Sequence, residues 1–263
     1  MRRLFSTLFL LLLVLFIVPA AAAAVWWSTV DRPSSWNSAD WGPSGTLPPA
    51  SSVDDAVVHV MSARTGGLKG AISVHSWIVT KRAGERRYNR YDKVGWGNPV
   101  RRNAYAADAY WYSNAPTILQ TLRGEDAERA IDGIERAVAS YPYARRGGYR
   151  IWPGPNSNSF IAHVLREVPA LRVNLPEIAV GRDYPTDGRL IAWDGARGDL
   201  RLSLWGYAGL TVGRTAGLEV NFLGLVTGID LLRPALKLPG FGRIGLTPVE
   251  RPSLPSEPTV RGI

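Results

Sequence analysis

Three hydrophobic patterns follow one another along the chain. The first is an uncharged apolar run over residues 4–27, long enough to cross a bilayer as a helix. The second begins after a Ser-, Pro-, Trp- and Gly-rich stretch over residues 28–52. Short apolar, β-branched segments there predict strands over 56–62, 71–81 and 88–96, with a fourth over the tyrosine-dense 104–112. Helical spacing then takes over. Asn114 ahead of Pro116 reads as a cap and first turn, predicting a short helix that ends at Arg123. Residues 125–140 carry Ile131, Ile134 and Val138 on one side, behind the acidic Glu125 and Asp126. Residues 157–168 carry Phe160, Ile161, Val164, Leu165 and Val168 as one stripe, closed by Pro169. Past a loop over 170–188, short strands between glycines return at 190–193, 199–205, 210–213, 218–225 and 227–231, a β-meander. Residues 233–263, rich in Pro and Gly, predict a tail along the surface.

The fold these patterns predict is α+β: an antiparallel sheet packed against two or three helices, with a C-terminal β-meander and an N-terminal membrane-spanning or signal segment. Four regions result. They are an anchor or signal peptide at 1–27, a linker at 28–52 that packs its tryptophans locally, an α+β core at 53–188, and a β-rich region with its tail at 189–263. The last either extends the sheet or forms a small subdomain.

Composition narrows the class. Of 263 residues, 46% are hydrophobic and 20% charged, the balance of an ordinary globular protein. The net charge is +9, with arginines in short pairs such as Arg86-Arg87 and Arg101-Arg102. That excess suits an anionic lipid or a cell-wall polyanion as partner, or is simply a solvated surface. Nucleic acid is excluded as a partner, because no basic helix or recognition motif accompanies the charge and the chain carries an export signal. Cysteine is absent, which removes disulfides, cysteine–zinc sites and thiol nucleophiles together. His59, His75 and His163 stand far apart without metal-binding spacing, so neither a metal nor a cofactor is expected. Arg2 and Arg3 ahead of the apolar run put the rest of the chain outside the cytoplasm. The run is then either an uncleaved anchor with Trp26 and Trp27 at the far interface, or a signal peptide cleaved after the small residues that follow Pro19.

The chemistry concentrates at Trp152-Pro153-Gly154-Pro155-Asn156-Ser157-Asn158-Ser159-Phe160. A Pro/Gly approach delivers small polar residues to a helix mouth, where unpaired N–H groups and the positive dipole suit a nucleophile or an oxyanion. At about 100° per residue, Ser157 falls within the apolar stripe, while Ser159 and His163 fall outside it and are expected to face water. On the strand over 71–81, His75 shares a face with Trp77. If Ala83-Gly84 is a two-residue hairpin turn, His75 lies opposite Asp92. His75 as base, Asp92 as its orienter and Ser157 as nucleophile make a candidate triad. Asn156, Asn158, Trp77, Trp96, Tyr143 and Trp152 are the expected binding residues. Each triad member has a plainer account: Ser157 or Asn156 as a helix cap, His75 as a satisfied strand histidine, Asp92 as a surface acid. No Gly-x-Ser-x-Gly motif is present.

Ala71-Ile72-Ser73-Val74-His75-Ser76-Trp77-Ile78, Val94-Gly95-Trp96, Tyr141-Pro142-Tyr143 and the 152–160 stretch resemble the bacterial family known as domain of unknown function 3750. The likeness extends to Leu231-Leu232-Arg233-Pro234-Ala235-Leu236-Lys237-Leu238-Pro239-Gly240 and implies no activity. Asn156-Ser157-Asn158-Ser159-Phe160 is also similar to the Asn-Cys-x-x-Phe motif of circularly permuted papain-like folds, such as the lecithin retinol acyltransferase group. His75 matches their strand histidine, Asp92 more loosely their polar partner, and Ser157 stands where they carry cysteine. That resemblance implies a hydrolase or acyltransferase acting on an amide or ester of an envelope component. The serine leaves open the alternative of a non-catalytic envelope domain that binds a lipid headgroup, glycan or peptide in the same cleft. For a bacterial chain, the export signal implies a single-pass inner-membrane protein with its bulk in the periplasm, or secretion after cleavage.

Overall fold

The structure, a computed structural model, describes residues 2–246; Met1 and residues 247–263, the end of the expected tail, lie outside the described residues. A continuous helix spans Arg3–Thr29 and is long and apolar enough to cross a membrane, compatible with an anchor or a signal sequence. The helical run begins one residue earlier and is made of α1 (Arg2–Leu12), a π-helical turn at Leu13–Ile17 and α2 (Val18–Thr29). One side is docked. Phe16, Pro19, Ala23 and Trp27 recur at helical spacing and are buried against the rest of the chain.

Five strands, β1 (Val57–Arg64), β2 (Val74–Lys81), β3 (Asn89–Lys93), β4 (Val100–Arg102) and β5 (Thr117–Arg123), form an antiparallel sheet ordered β4-β3-β2-β1-β5. Helices α3 (Gly124–Ala139) and α4 (Ser157–Glu167) cover one face. Ile131 and Ile134 of α3 and Phe160, Ile161 and Val164 of α4 meet Val58, Val60 and Ile78 there, each buried side chain worth about 1.5–3 kcal/mol. The other face packs Met61, Trp77 and Val79 against Trp111 and Leu47, with Trp41 from the 28–52 stretch closing the cluster.

The C-terminal third is a second antiparallel sheet of seven strands in sequence order: β6 (Ile191–Asp194), β7 (Asp199–Leu204), β8 (Ala208–Gly213), β9 (Gly217–Phe222), β10 (Leu225–Asp230), β11 (Ala235–Leu238) and β12 (Gly242–Gly245). The fold is α+β. The two sheets are not hydrogen-bonded to each other, so the meander does not extend the first.

Several expectations need correcting. Residues 104–112 form turns with isolated bridges, Pro43 to Ala109 and Trp111 to Asn114. Tyr105 and Trp111 pack edge-on to each other and around Trp41, which a flat ladder would not allow. The short helix expected up to Arg123 is strand β5, because β-branched Thr117, Ile118 and Thr121 complete the open edge of β1. β2 begins at Val74, since residues 67–71 close a 3₁₀ turn. Part of the expected tail is the hairpin β11–β12.

Candidate functional site

Strand β2 divides the expected triad. Side chains alternate between the faces of a strand, so Val74 and Ile78 meet α4 while Trp77 and Val79 meet the tryptophan cluster. His75 goes with Trp77. Its ring stacks on Trp111, centroids 3.6 Å apart and planes 3° from parallel. His75 and Asp92 do come together, with Nε2 3.6 Å from Asp92 Oδ2. They are diagonal neighbours and not direct opposites: Ile78 pairs with Tyr91, where a two-residue turn would pair it with Asn89. The connection runs over residues 82–88, which is longer than that turn requires. A two-residue slip preserves the face, so the pair survives the error in register.

Arg90 fixes the acid, its Nε and Nη2 donating to Asp92 Oδ2 at 3.2 and 2.9 Å. The guanidinium also lies over Trp77, 4.2 Å from the ring centre. Burial opposes the charge of Asp92, but the Arg90 guanidinium beside it holds its carboxyl below the usual range. Burial pushes His75 down against the pull of Asp92, so its ring is neutral near pH 7. At 3.6 Å the Asp92 oxygen is beyond hydrogen-bond reach, and Nε2 is buried without a partner.

The mouth of α4 lies on the other side of this sheet. Asn156 is the N-cap: its Oδ1 accepts from the N–H groups of Asn158 and Ser159, and Ser159 Oγ accepts from Asn156 N–H at 3.1 Å, a capping box. Asn156 Nδ2 donates to the carbonyls of Ile151 and Val180. Gly181, at φ +94°, makes room for it, since a Cβ there would fall 2.3 Å from Asn156 Nδ2. Asn158 ties the helix to the sheet, accepting from Ser76 Oγ and donating to the carbonyls of Val74 and Val180, all at 2.9 Å. Both asparagines expected to hold a ligand are engaged by the fold itself.

Ser159 and His163 are buried and do not face water. The 170–188 loop folds over the side of α4 that the apolar stripe leaves outward. Ser159 Oγ donates to the Gly181 carbonyl at 2.7 Å, and His163 sits against Tyr141 and Thr186. Ser157 is buried too, yet its hydroxyl makes no hydrogen bond among the described residues, to His75 or to any other group.

The other expected binding residues have separate settings. Trp77 is buried and donates to the Ala107 carbonyl at 2.9 Å. Tyr143 packs on Tyr141 and Tyr184. Trp152 donates to the Leu223 carbonyl and meets Tyr207. Trp96 is exposed, with Arg101 over its ring.

Two features escaped the sequence. Lys93, on the α4 side of β3, is fully buried and donates to Tyr141 Oη, the Gly148 carbonyl and the Pro155 carbonyl at 3.1, 2.6 and 3.2 Å. Burial pushes its pKa down to about 7, while three acceptors around Nζ pull the other way. Its signal was parity: with Asp92 on one face of β3, Lys93 must point at the helices. The second is a cavity of about 540 Å³ where the far end of α4 and the 173–187 segment meet the second sheet. Arg166 and Arg201 line it. Arg166 donates from Nη2 to Thr186 Oγ1 at 2.7 Å, but its Nη1 is buried without a partner. Burial, then Arg201 nearby, pulls its pKa below the ordinary arginine value. Neither arginine has a carboxylate within ion-pair distance among the described residues. No sequence signal marked them, because the cavity forms between segments far apart in the chain.

Residues 55–184 match the family described as "Protein of unknown function (DUF3750)". This segment is similar to the DUF3750 family. It holds the five-stranded sheet, both covering helices, His75, Asp92, Lys93 and the α4 mouth, and stops before the second sheet. The likeness over 231–240 lies beyond the matched residues. No curated protein and no solved structure, papain-like or other, gives a significant match.

Proposed function

We propose that the protein is a membrane-anchored, periplasm-facing binding domain that holds a small anionic group, a carboxylate or a phosphate, in the cavity at the far end of α4. One observation carries this reading: Arg166 and Arg201 line a cavity of about 540 Å³ and neither has a carboxylate partner among the described residues. Acids also line it, but they are occupied. Asp194 is held by Arg197, Glu219 by Arg182 and Lys237, Asp183 by Asn221, and Asp199 by Asn174 and the N–H groups of Thr215 and Ala216. Asp187 accepts from the Arg189 N–H, and Glu167 is exposed. A part-buried cation with no carboxylate in ion-pair contact favours an anion with apolar bulk, and Ala162, Leu165, Val173 and Ala192 supply apolar wall. The expected non-catalytic guest was a lipid headgroup, glycan or peptide at the mouth of α4; the guest proposed here is a small anion, and its place is the opposite end of α4 from Ser157. Isothermal titration with inorganic phosphate and with short-chain phosphatidic acid tests it. Binding should weaken at least tenfold in Arg166→Gln and in Arg201→Gln. Equal affinity in wild type and both variants overturns the reading.

A second reading, hydrolysis or acyl transfer at the α4 mouth, is favoured by Lys93. A lysine with its pKa pushed to about 7 donates to the Pro155 carbonyl, two residues before a serine whose hydroxyl is unbonded. In that case Lys93, once deprotonated and released from the Pro155 carbonyl, is the candidate base for Ser157, and His75 lies on the wrong face. A fluorophosphonate probe should then label wild type and His75→Ala but not Ser157→Ala or Lys93→Met. Labelling that is equal in all four removes this chemistry.

A further inference from the structure

The seven-stranded sheet is inside out. Its strand partners form rows, and one row crosses every strand: Trp193, Leu200, Val212, Leu218, Ile229, Leu236 and Ile244. All seven are apolar and each is between 37% and 67% exposed. Six strand spacings of about 4.8 Å make the row about 29 Å wide. The adjacent row, Arg201, Thr211, Glu219 and Lys237, points the other way, and its Glu219 and Lys237 are buried and paired. A soluble sheet with one covered face does the opposite, and exposed apolar patches of this extent mark an interface.

The N-terminal helix identifies what the face meets. Its Phe16 packs on Phe222, centroids 5.7 Å apart, and Phe222 pairs with Leu225 and Ala208 on the apolar side of the sheet. Further along, Trp26 reaches Phe241, and Ala23 lies so close to Gly240 that a Cβ on that glycine would be 2.3 Å away. Phe16 is the first buried residue of the helix, and residues 3–15 ahead of it span about 20 Å at about 1.5 Å per residue. A hydrocarbon core is about 30 Å thick. The helix therefore spans a bilayer only if Phe16 and the residues after it are within the lipid, which draws the Phe222 side of the sheet in with them. Trp205 and Tyr207, exposed at the β7–β8 turn, are the residue types that settle at headgroup level.

We infer that the apolar face of the second sheet lies against the hydrocarbon and headgroup boundary of the membrane its own N-terminal helix enters. The sheet is then a monotopic platform, with lipid on one side and the charged row on the other. This goes beyond the cavity reading and stands without it.

The absence of cysteine allows a clean test. Single spin labels are placed at Leu210→Cys and Leu236→Cys on the apolar face and at Arg129→Cys on α3, where the side chain is 67% exposed. The full chain is reconstituted in vesicles of phosphatidylcholine and phosphatidylglycerol. Collision with oxygen, relative to a water-soluble nickel chelate, should be at least threefold higher at Leu210 and Leu236 than at Arg129. Nickel accessibility equal at all three sites overturns the inference. So does shielding of the two face labels from both quenchers with dipolar broadening that unlabelled protein dilutes away, since a second copy then covers the face. Circular dichroism of each variant confirms that the substitution, at an exposed site, leaves the fold intact.

Discussion

The two sheets treat their faces in opposite ways. The five-stranded sheet is covered twice, by α3 and α4 on one side and by the tryptophan cluster on the other. Its inward charges are held in place by named partners. Arg90 grips Asp92, and Lys93 closes the loop before α4. The seven-stranded sheet buries its polar row and shows its apolar one. Glu219, Lys237, Glu177 and Arg182 neutralise one another beneath it, because buried charges survive only when paired. Alternation along a strand therefore says that its faces differ, but not which of them meets water. In the first sheet the neighbouring helices decide that. In the second, the helix Arg3–Thr29 decides it.

The largest effect should come from the doubly covered sheet. Phe160 is fully buried between α4 and Tyr141. Phe160→Ala is expected to cost about 3–5 kcal/mol, read from the urea midpoint in detergent solution. A loss below about 1 kcal/mol would mean that α4 does not depend on this core, and the contrast between the sheets would collapse.

What was legible follows the same division. The helical stripes of α3 and α4 and strands β1, β2 and β3 of the first sheet read directly, because each element buries a face that its own pattern marks. The His75–Asp92 pairing was legible although its register was not, since an error of two residues leaves both side chains on one face. The direction in which Ser159 and His163 point was not legible. Phase on one helix cannot foresee a loop beyond its end that folds across its outer side. Strand β5 was hidden behind a cap-like Asn-x-Pro, where the open edge of β1 outweighed local preference. The cavity and its two arginines were invisible for a plainer reason: α4 and β7 meet only in three dimensions.

A second prediction concerns the first sheet's buried lysine. In the fold, burial holds Lys93 near about 7, while in the unfolded chain it titrates at its ordinary value, about 10.4. Between these values the unfolded state binds more protons, so stability rises with pH across that window and is flat below it. The slope from this one group is at most about 1.4 kcal/mol per pH unit. Lys93→Met should abolish it, and the ¹⁵Nζ resonance should titrate near neutrality. A wild type whose stability does not change between pH 7 and 10, or a lysine resonance that titrates at its ordinary value, would mean that the acceptors at Tyr141, Gly148 and Pro155 hold the charged form instead.

The smallest effects make the sharpest comparison, because two adjacent residues of β7 should behave contrary to their chemistry. Ser203 is fully buried; its hydroxyl donates to the Asp183 carbonyl and accepts from the Gly206 N–H at 3.2 Å. Leu202 beside it is 40% exposed on the apolar face. In an ordinary half-covered sheet the leucine would carry the stability and the serine would be dispensable. Here Ser203→Ala leaves two backbone groups unsatisfied and should cost about 1–2 kcal/mol. Leu202→Ser should change the unfolding free energy in detergent by no more than about 0.5 kcal/mol. The same leucine variant should still lower the affinity of the chain for vesicles, since it takes apolar area out of the lipid contact. Should Leu202→Ser destabilise the protein more than Ser203→Ala does, the apolar row is core, and the sheet is not inverted.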